Sequence, residues 1–169
     1  MIDQTPVMVK EIREMAQLIT VTAYDEVVAD SIRLGMTDLV IRNLPLPIPG
    51  SLSTPDRIVL IGRGRVVAGI DLKQLDEKSI QAYGDSVAIR LPRASILDVI
   101  MNPSDFETFS EQGDWTSEAV TRVKVKARDI LTRRALEQDI LGKADKRGKI
   151  LLVDFLKASG FEKFIFVYQ

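Results

Sequence analysis

Residues Arg57–Leu72 (RIVLIGRGRVVAGIDL) restrict the fold more than any other stretch of the chain. Two runs rich in Val and Ile flank Gly62-Arg63-Gly64. β-Branched side chains at this density favour a pleated strand, where their stiff χ1 is tolerated and their branches pack on neighbours. The glycines permit two outcomes, a hairpin turn or a glycine bulge in one long bent strand. Either one puts a sheet at the centre of the fold.

More of the chain reads the same way. Ile19, Val21 and Ala23 alternate with Thr20, Thr22 and Tyr24 within Gln17–Tyr24, the period of a half-buried strand. Ile80–Tyr83 and Ser86–Leu91 flank Gly84-Asp85, which predicts a hairpin closed by Pro92. Ala94–Met101 gives a further strand, stopped by Asn102-Pro103. Four of the seven prolines lie in Leu44–Pro55, and a donor-poor segment of this kind is a loop.

The period then changes. Val7–Ala16 predicts a short helix after Pro6, with Met8, Ile12 and Met15 on one side. From about residue 116 to 159 the pattern is helical throughout. Thr116 or Ser117 can cap the start, Glu118 sits in the first turn, and Val120, Val123, Ala127, Ile130 and Leu131 share a face. Gly142 and Gly148 leave two readings of residues 137–159, one helix or a loop followed by a helix. Gly160 suits a helix end, and Phe161–Tyr168 reads as a last strand. The expected fold is α+β: a mainly antiparallel, bent sheet of about five to seven strands, a short N-terminal helix, two C-terminal helices and a final strand. At 169 residues one domain spanning 1–169 suffices.

Composition removes many functions. There is no histidine and no cysteine. Imidazole bases, Ser-His-Asp triads, thiolate nucleophiles, disulfides and thiolate zinc sites are therefore all ruled out. Chemistry would have to use carboxylates, lysine, tyrosine, serine or threonine, or a cation held by oxygen. The formal net charge is −1, from 23 basic and 24 acidic side chains, which argues against nucleic acid as a partner. No apolar run approaches the roughly 20 residues that cross a bilayer.

Few residues stand out as candidate site groups, and each has a plainer explanation. Gly62, Gly64 and Gly69 miss the dinucleotide fingerprint, because four residues separate the last two and the segment is strand-like. No cofactor is expected. Asp71 ends a strand, where it could hold a cation or act as a base, or simply accept backbone hydrogen bonds at a turn. Arg122, Lys126 and Arg133 share a helical stripe that could bind an anion or anionic lipid, or be an ordinary solvated face. Trp115, the single tryptophan, could anchor a partner or pack before the helix cap. Asp105, Glu107, Glu111 and Asp114 are too dispersed for a calcium loop, and no metal site is expected.

The order of motifs resembles a known family. GRGRVVAGIDLKQL, then SVAIRLPRASILDV, then Trp115 and paired helices ending in SGFEKFIFVY, is similar to the bacterial family called domain of unknown function 4230. The likeness runs from about Met15 to Tyr168, with Leu18–Tyr24 as the early strand. It implies an N-terminal membrane anchor upstream of this chain, and so a place at the cell envelope; with no anchor visible here, a cytoplasmic location stays open. The resemblance implies no catalytic residues. The resulting expectation is a non-catalytic, envelope-associated domain that binds or scaffolds a protein partner. Two alternatives stand beside it: a carboxylate enzyme, with or without a metal, near Asp71, and an anion- or lipid-binding helix face.

Overall fold

The structure, a computed structural model, describes residues 10–12, 20–34 and 55–168. Residues 10–12 are helical, and the rest of the expected Val7–Ala16 helix, residues 17–19 of the first strand and nearly all of Leu44–Pro55 lie outside the described residues. Seven strands follow: β1 (Thr20–Arg33), β2 (Asp56–Gly69), β3 (Ile80–Tyr83), β4 (Ser86–Leu91), β5 (Ser95–Ile100), β6 (Phe106–Gln112) and β7 (Lys163–Tyr168). Helices α1 (Ser117–Glu137) and α2 (Ile140–Ala158) lie between β6 and β7. This is the expected α+β inventory, with the strands divided between two sheets: a four-stranded one in which β2 pairs with β1, β5 and β6, and a three-stranded one ordered β3-β4-β7.

Two compact units divide the chain: residues 1–23, 66–99 and 134–169, and residues 24–65 and 100–133. In the second of these, β2 is one continuous strand through Gly62-Arg63-Gly64. The glycines make no turn there; they allow close approach. A Cβ on Gly62 would lie 2.9 Å from Phe106 Cε1, and one on Gly64 would lie 2.7 Å from Leu131 Cδ2 and 2.8 Å from the Ile100 carbonyl. The even-numbered side of β2 is the inner one, with Ile58 and Leu60 each 2 % exposed. Val27 and Ala29 of β1 are buried too, as are Ala119, Val123, Ala127 and Leu131, which recur every four residues along α1.

β1 runs nine residues beyond the predicted strand. Asp25, Glu26 and Asp30 are poor strand formers, which hid the extension. Ion pairs across to β2 offset that: Arg33 with Asp56, Arg57 with Asp30 at 3.6 Å and Arg63 with Glu26 at 2.6 Å. Each is exposed, so each contributes well under about 1 kcal/mol.

The other unit holds the three-stranded sheet. β3 and β4 form the predicted hairpin, with Tyr83 opposite Ser86. Gly84 has φ 59°, at the first central position of the turn, where a type II′ hairpin places glycine. β7 pairs parallel to β4, from Ser86 opposite Lys163 to Leu91 opposite Tyr168. Parallel neighbours need a long crossover, and the intervening chain with both helices supplies it. Ile80, Val87, Ile89 and Leu91 of this sheet are buried, as are Ile140, Ala144, Leu152 and Leu156 of α2.

The two readings of residues 137–159 resolve to a single helix from Ile140. Asp139 sits in the left-handed region (φ 57°) as its N-cap and accepts a hydrogen bond from Gly142 N–H at 3.3 Å. A Cβ on Gly142 would come within 2.6 Å of Asp139 Oδ1, so that glycine belongs to the cap. At the far end Gly160 (φ 91°) donates to the Lys157 carbonyl at 3.0 Å and Phe161 donates to the Leu156 carbonyl at 3.0 Å. This is the paired-bond glycine stop expected at that position.

Candidate functional site

One face of the four-stranded sheet carries apolar side chains in the open. On β1, Tyr24, Val28 and Ile32 project outward, 74 %, 55 % and 55 % exposed. Across β2 lies β6, and their register slips between Val59 opposite Ser110 and Leu60 opposite Thr108. Phe109 is the extra residue of that β-bulge. Bulges re-aim a side chain, and Phe109 is 72 % exposed. Val28, Val59, Ile61 and Phe109, with Arg57 and Ser110, line a groove of about 380 Å³ that crosses all three strands.

Charges rim this groove. Arg57 faces Asp30, while Arg63 bridges Glu26 at 2.6 Å and Glu107 at 3.6 Å. Two residues further along β1 and β2 lies a second hollow of about 480 Å³, whose lining includes Tyr24, Asp25, Glu26, Arg63, Arg65 and Asp105. Asp105 is committed there: its carboxylate accepts from Asn102 N–H at 2.7 Å and Asn102 Nδ2 at 2.8 Å. The groove thus has an apolar centre and a polar, charge-paired rim.

The residues singled out by sequence are placed apart. Asp71 caps a single 3₁₀ turn at Leu72–Gln74, accepting from Lys73 N–H and Gln74 Nε2, both at 3.1 Å. Trp115 donates from Nε1 to the Gln112 carbonyl at 3.0 Å, and the Arg33 guanidinium lies 5.3 Å from its ring centre. Arg33 also bonds Asp56 and, at 2.8 Å, the Asp114 carbonyl. Trp115 is thus held in the turn before α1, whose N-cap is Thr116, with Ala119 N–H donating to its hydroxyl at 3.3 Å.

The α1 stripe is only partly open. Lys126 Nζ donates to the Asp30 carbonyl at 2.8 Å and to its Oδ1 at 3.0 Å. That bond, reinforced by the charges of Lys126 and Arg57, holds the Asp30 carboxyl below its usual range. Arg122 helps lower Glu118, after backbone and Thr116 hydrogen bonds. Arg133 is exposed. Among the described residues no group of three or more Asp or Glu could hold a metal ion, and no helix is long and apolar enough to cross a membrane.

The sequence reading missed Val28, Val59, Ile61 and Phe109. A signal existed in the Phe-x-x-Phe spacing of Phe106 and Phe109 and in the apolar residues on both sides of β1. Neither says which face is covered.

Fold and site together define an α+β protein with a rimmed apolar face on its four-stranded sheet. The chain belongs to the family described as protein of unknown function (DUF4230), whose model matches residues 10–166, nearly its whole length. No curated protein and no solved structure matches it.

Proposed function

We propose that this chain is a non-catalytic binding or scaffolding domain of the cell envelope, and that it receives a protein partner on the outer face of the four-stranded sheet. The observation that carries the reading is Phe109, turned outward by a bulge on a strand that pairs only with β2 among the described strands. A bulged strand is poorly suited to extending the sheet, so the face offers side chains rather than a free edge. The matching occupant presents apolar side chains to Val28, Ile61 and Phe109 and polar or charged groups to the Glu26–Arg63 and Asp30–Arg57 rim. Aromatic anchors at the centre of such patches carry a large share of binding energy.

The test places a photocrosslinking side chain at Phe109 in cells that make the protein, with Arg128 as the control position. A defined adduct at 109, absent at 128 and lost in Val28→Glu, supports the reading. If position 109 gives no adduct, the reading is abandoned.

A further inference from the structure

Helix α2 carries a cationic face whose charges have no ion-pair partner among the described residues, and we propose that this face adsorbs to an anionic membrane surface. Helical spacing builds it. Lys143, Arg147, Ile150, Asp154 and Lys157 recur every three or four residues, with Lys146 beside them, so all six share one stripe roughly 21 Å long. All six are exposed, while the opposite side of the helix buries Ile140, Ala144, Gly148, Leu152 and Leu156.

None of the stripe's four cations has an ion-pair partner among the described residues. The stripe's single acid is Asp154. Outside the stripe, Asp145 is occupied by Ala94 N–H at 2.9 Å, and Lys149, one turn further on the same side of the helix, lies 5.8 Å from the Phe166 ring centre. On α1, by contrast, Lys126 is bound to Asp30. The cation surface that the sequence assigned to α1 therefore has its unpaired counterpart on α2.

The chemistry favours lipid over nucleic acid. Ile150 stands in the middle of the stripe, 53 % exposed. An apolar group among cations gains contact at a headgroup–acyl boundary but nothing against a ladder of phosphates. The stripe has no aromatic ring on which a base could stack. Because the apolar side of α2 is packed within the protein, the helix lies on the surface and does not insert. Its attraction is local and electrostatic, which suits a chain whose net charge is only −1.

The experiment is vesicle co-sedimentation of the purified chain, with neutral phosphatidylcholine vesicles against vesicles containing about 30 mol% phosphatidylglycerol. Binding is expected to the anionic vesicles alone and to weaken strongly between about 50 and about 300 mM salt. Each basic residue near such a surface contributes about fivefold, so Lys143→Gln/Lys146→Gln/Arg147→Gln lowers partitioning about a hundredfold. Arg128→Gln on α1 leaves it unchanged. Asp154→Asn strengthens it several-fold, a gain that no folding defect imitates. Equal binding to neutral vesicles, no response to the α2 triple substitution, or equally tight binding of a short DNA duplex overturns the proposal. The sheet groove has no part in these readouts.

Discussion

At the scale of single residues, the glycines separate two kinds of constraint. Gly64 has no room for a methyl group, since its Cβ would meet Leu131 and the Ile100 carbonyl inside 3 Å. Gly64→Ala is expected to destabilise by about 1–3 kcal/mol, as overpacking of a closed site does, read from urea unfolding. Gly84 has open space but a left-handed backbone, so Gly84→Ala costs about 1–2 kcal/mol through φ alone. Asp30 provides a pH test. Its carboxyl is lowered in the folded state by Lys126, so its stabilising contribution is complete above the unfolded pKa of about 3.9 and is lost as pH falls through the lower folded value. In Lys126→Met the Asp30 midpoint should rise back toward the ordinary range, measured by carboxyl NMR titration. An unchanged midpoint would mean that Lys126 is not its partner in solution. Legibility at this scale was uneven: the choice between structure and site at Asp71 depended on whether Lys73 N–H and Gln74 Nε2 were near enough to occupy it, and no sequence states that.

At the scale of elements, local chemistry accounts for most boundaries. The β3–β4 hairpin, the Thr116 cap and the Gly160 stop were all readable, because each depends on residues within five positions of one another. The start of α2 was not, since Gly142 reads as a helix breaker until Asp139 is known to reach its N–H. Asp139→Ala is expected to cost about 1 kcal/mol of stability, whereas Asp139→Asn, which keeps both the acceptor and the tolerance of a left-handed backbone, should be nearly neutral. Thermal unfolding of the two variants decides between cap and coincidence. The second half of β1 was likewise hidden. Its acids are poor strand formers, and its support comes from basic residues on β2 more than twenty positions away.

At the scale of the molecule, the chain passes between the two compact units four times, and every passage falls inside an element: β1, β2, β5 and α1. Domain boundaries ordinarily fall in exposed linkers. A break within a strand or helix costs hydrogen bonds on both sides, so the expected outcome is one cooperative transition. Trp115 fluorescence, which reports on one unit, and far-UV circular dichroism, which reports on both, should give coincident urea curves. Separated midpoints would instead show two independently folding parts. The groove under Phe109 belongs to this scale too, because it forms only where β1, β2 and β6 come side by side.

The sequence by itself determined which elements form and which chemistries are absent. Periodicity, caps and turns act between neighbours, and a missing imidazole or thiol is missing in any fold. Tertiary structure alone decided the division into two sheets, the parallel pairing of β7 with β4, and the exposure of Phe109 and Val28 rather than their burial. It also decided that Lys126 is engaged by Asp30 while Lys143, Lys146 and Arg147 have no ion-pair partner among the described residues. These outcomes turn on which distant side chains share a surface, and hydrophobic or charged character along a chain carries no record of what will stand opposite.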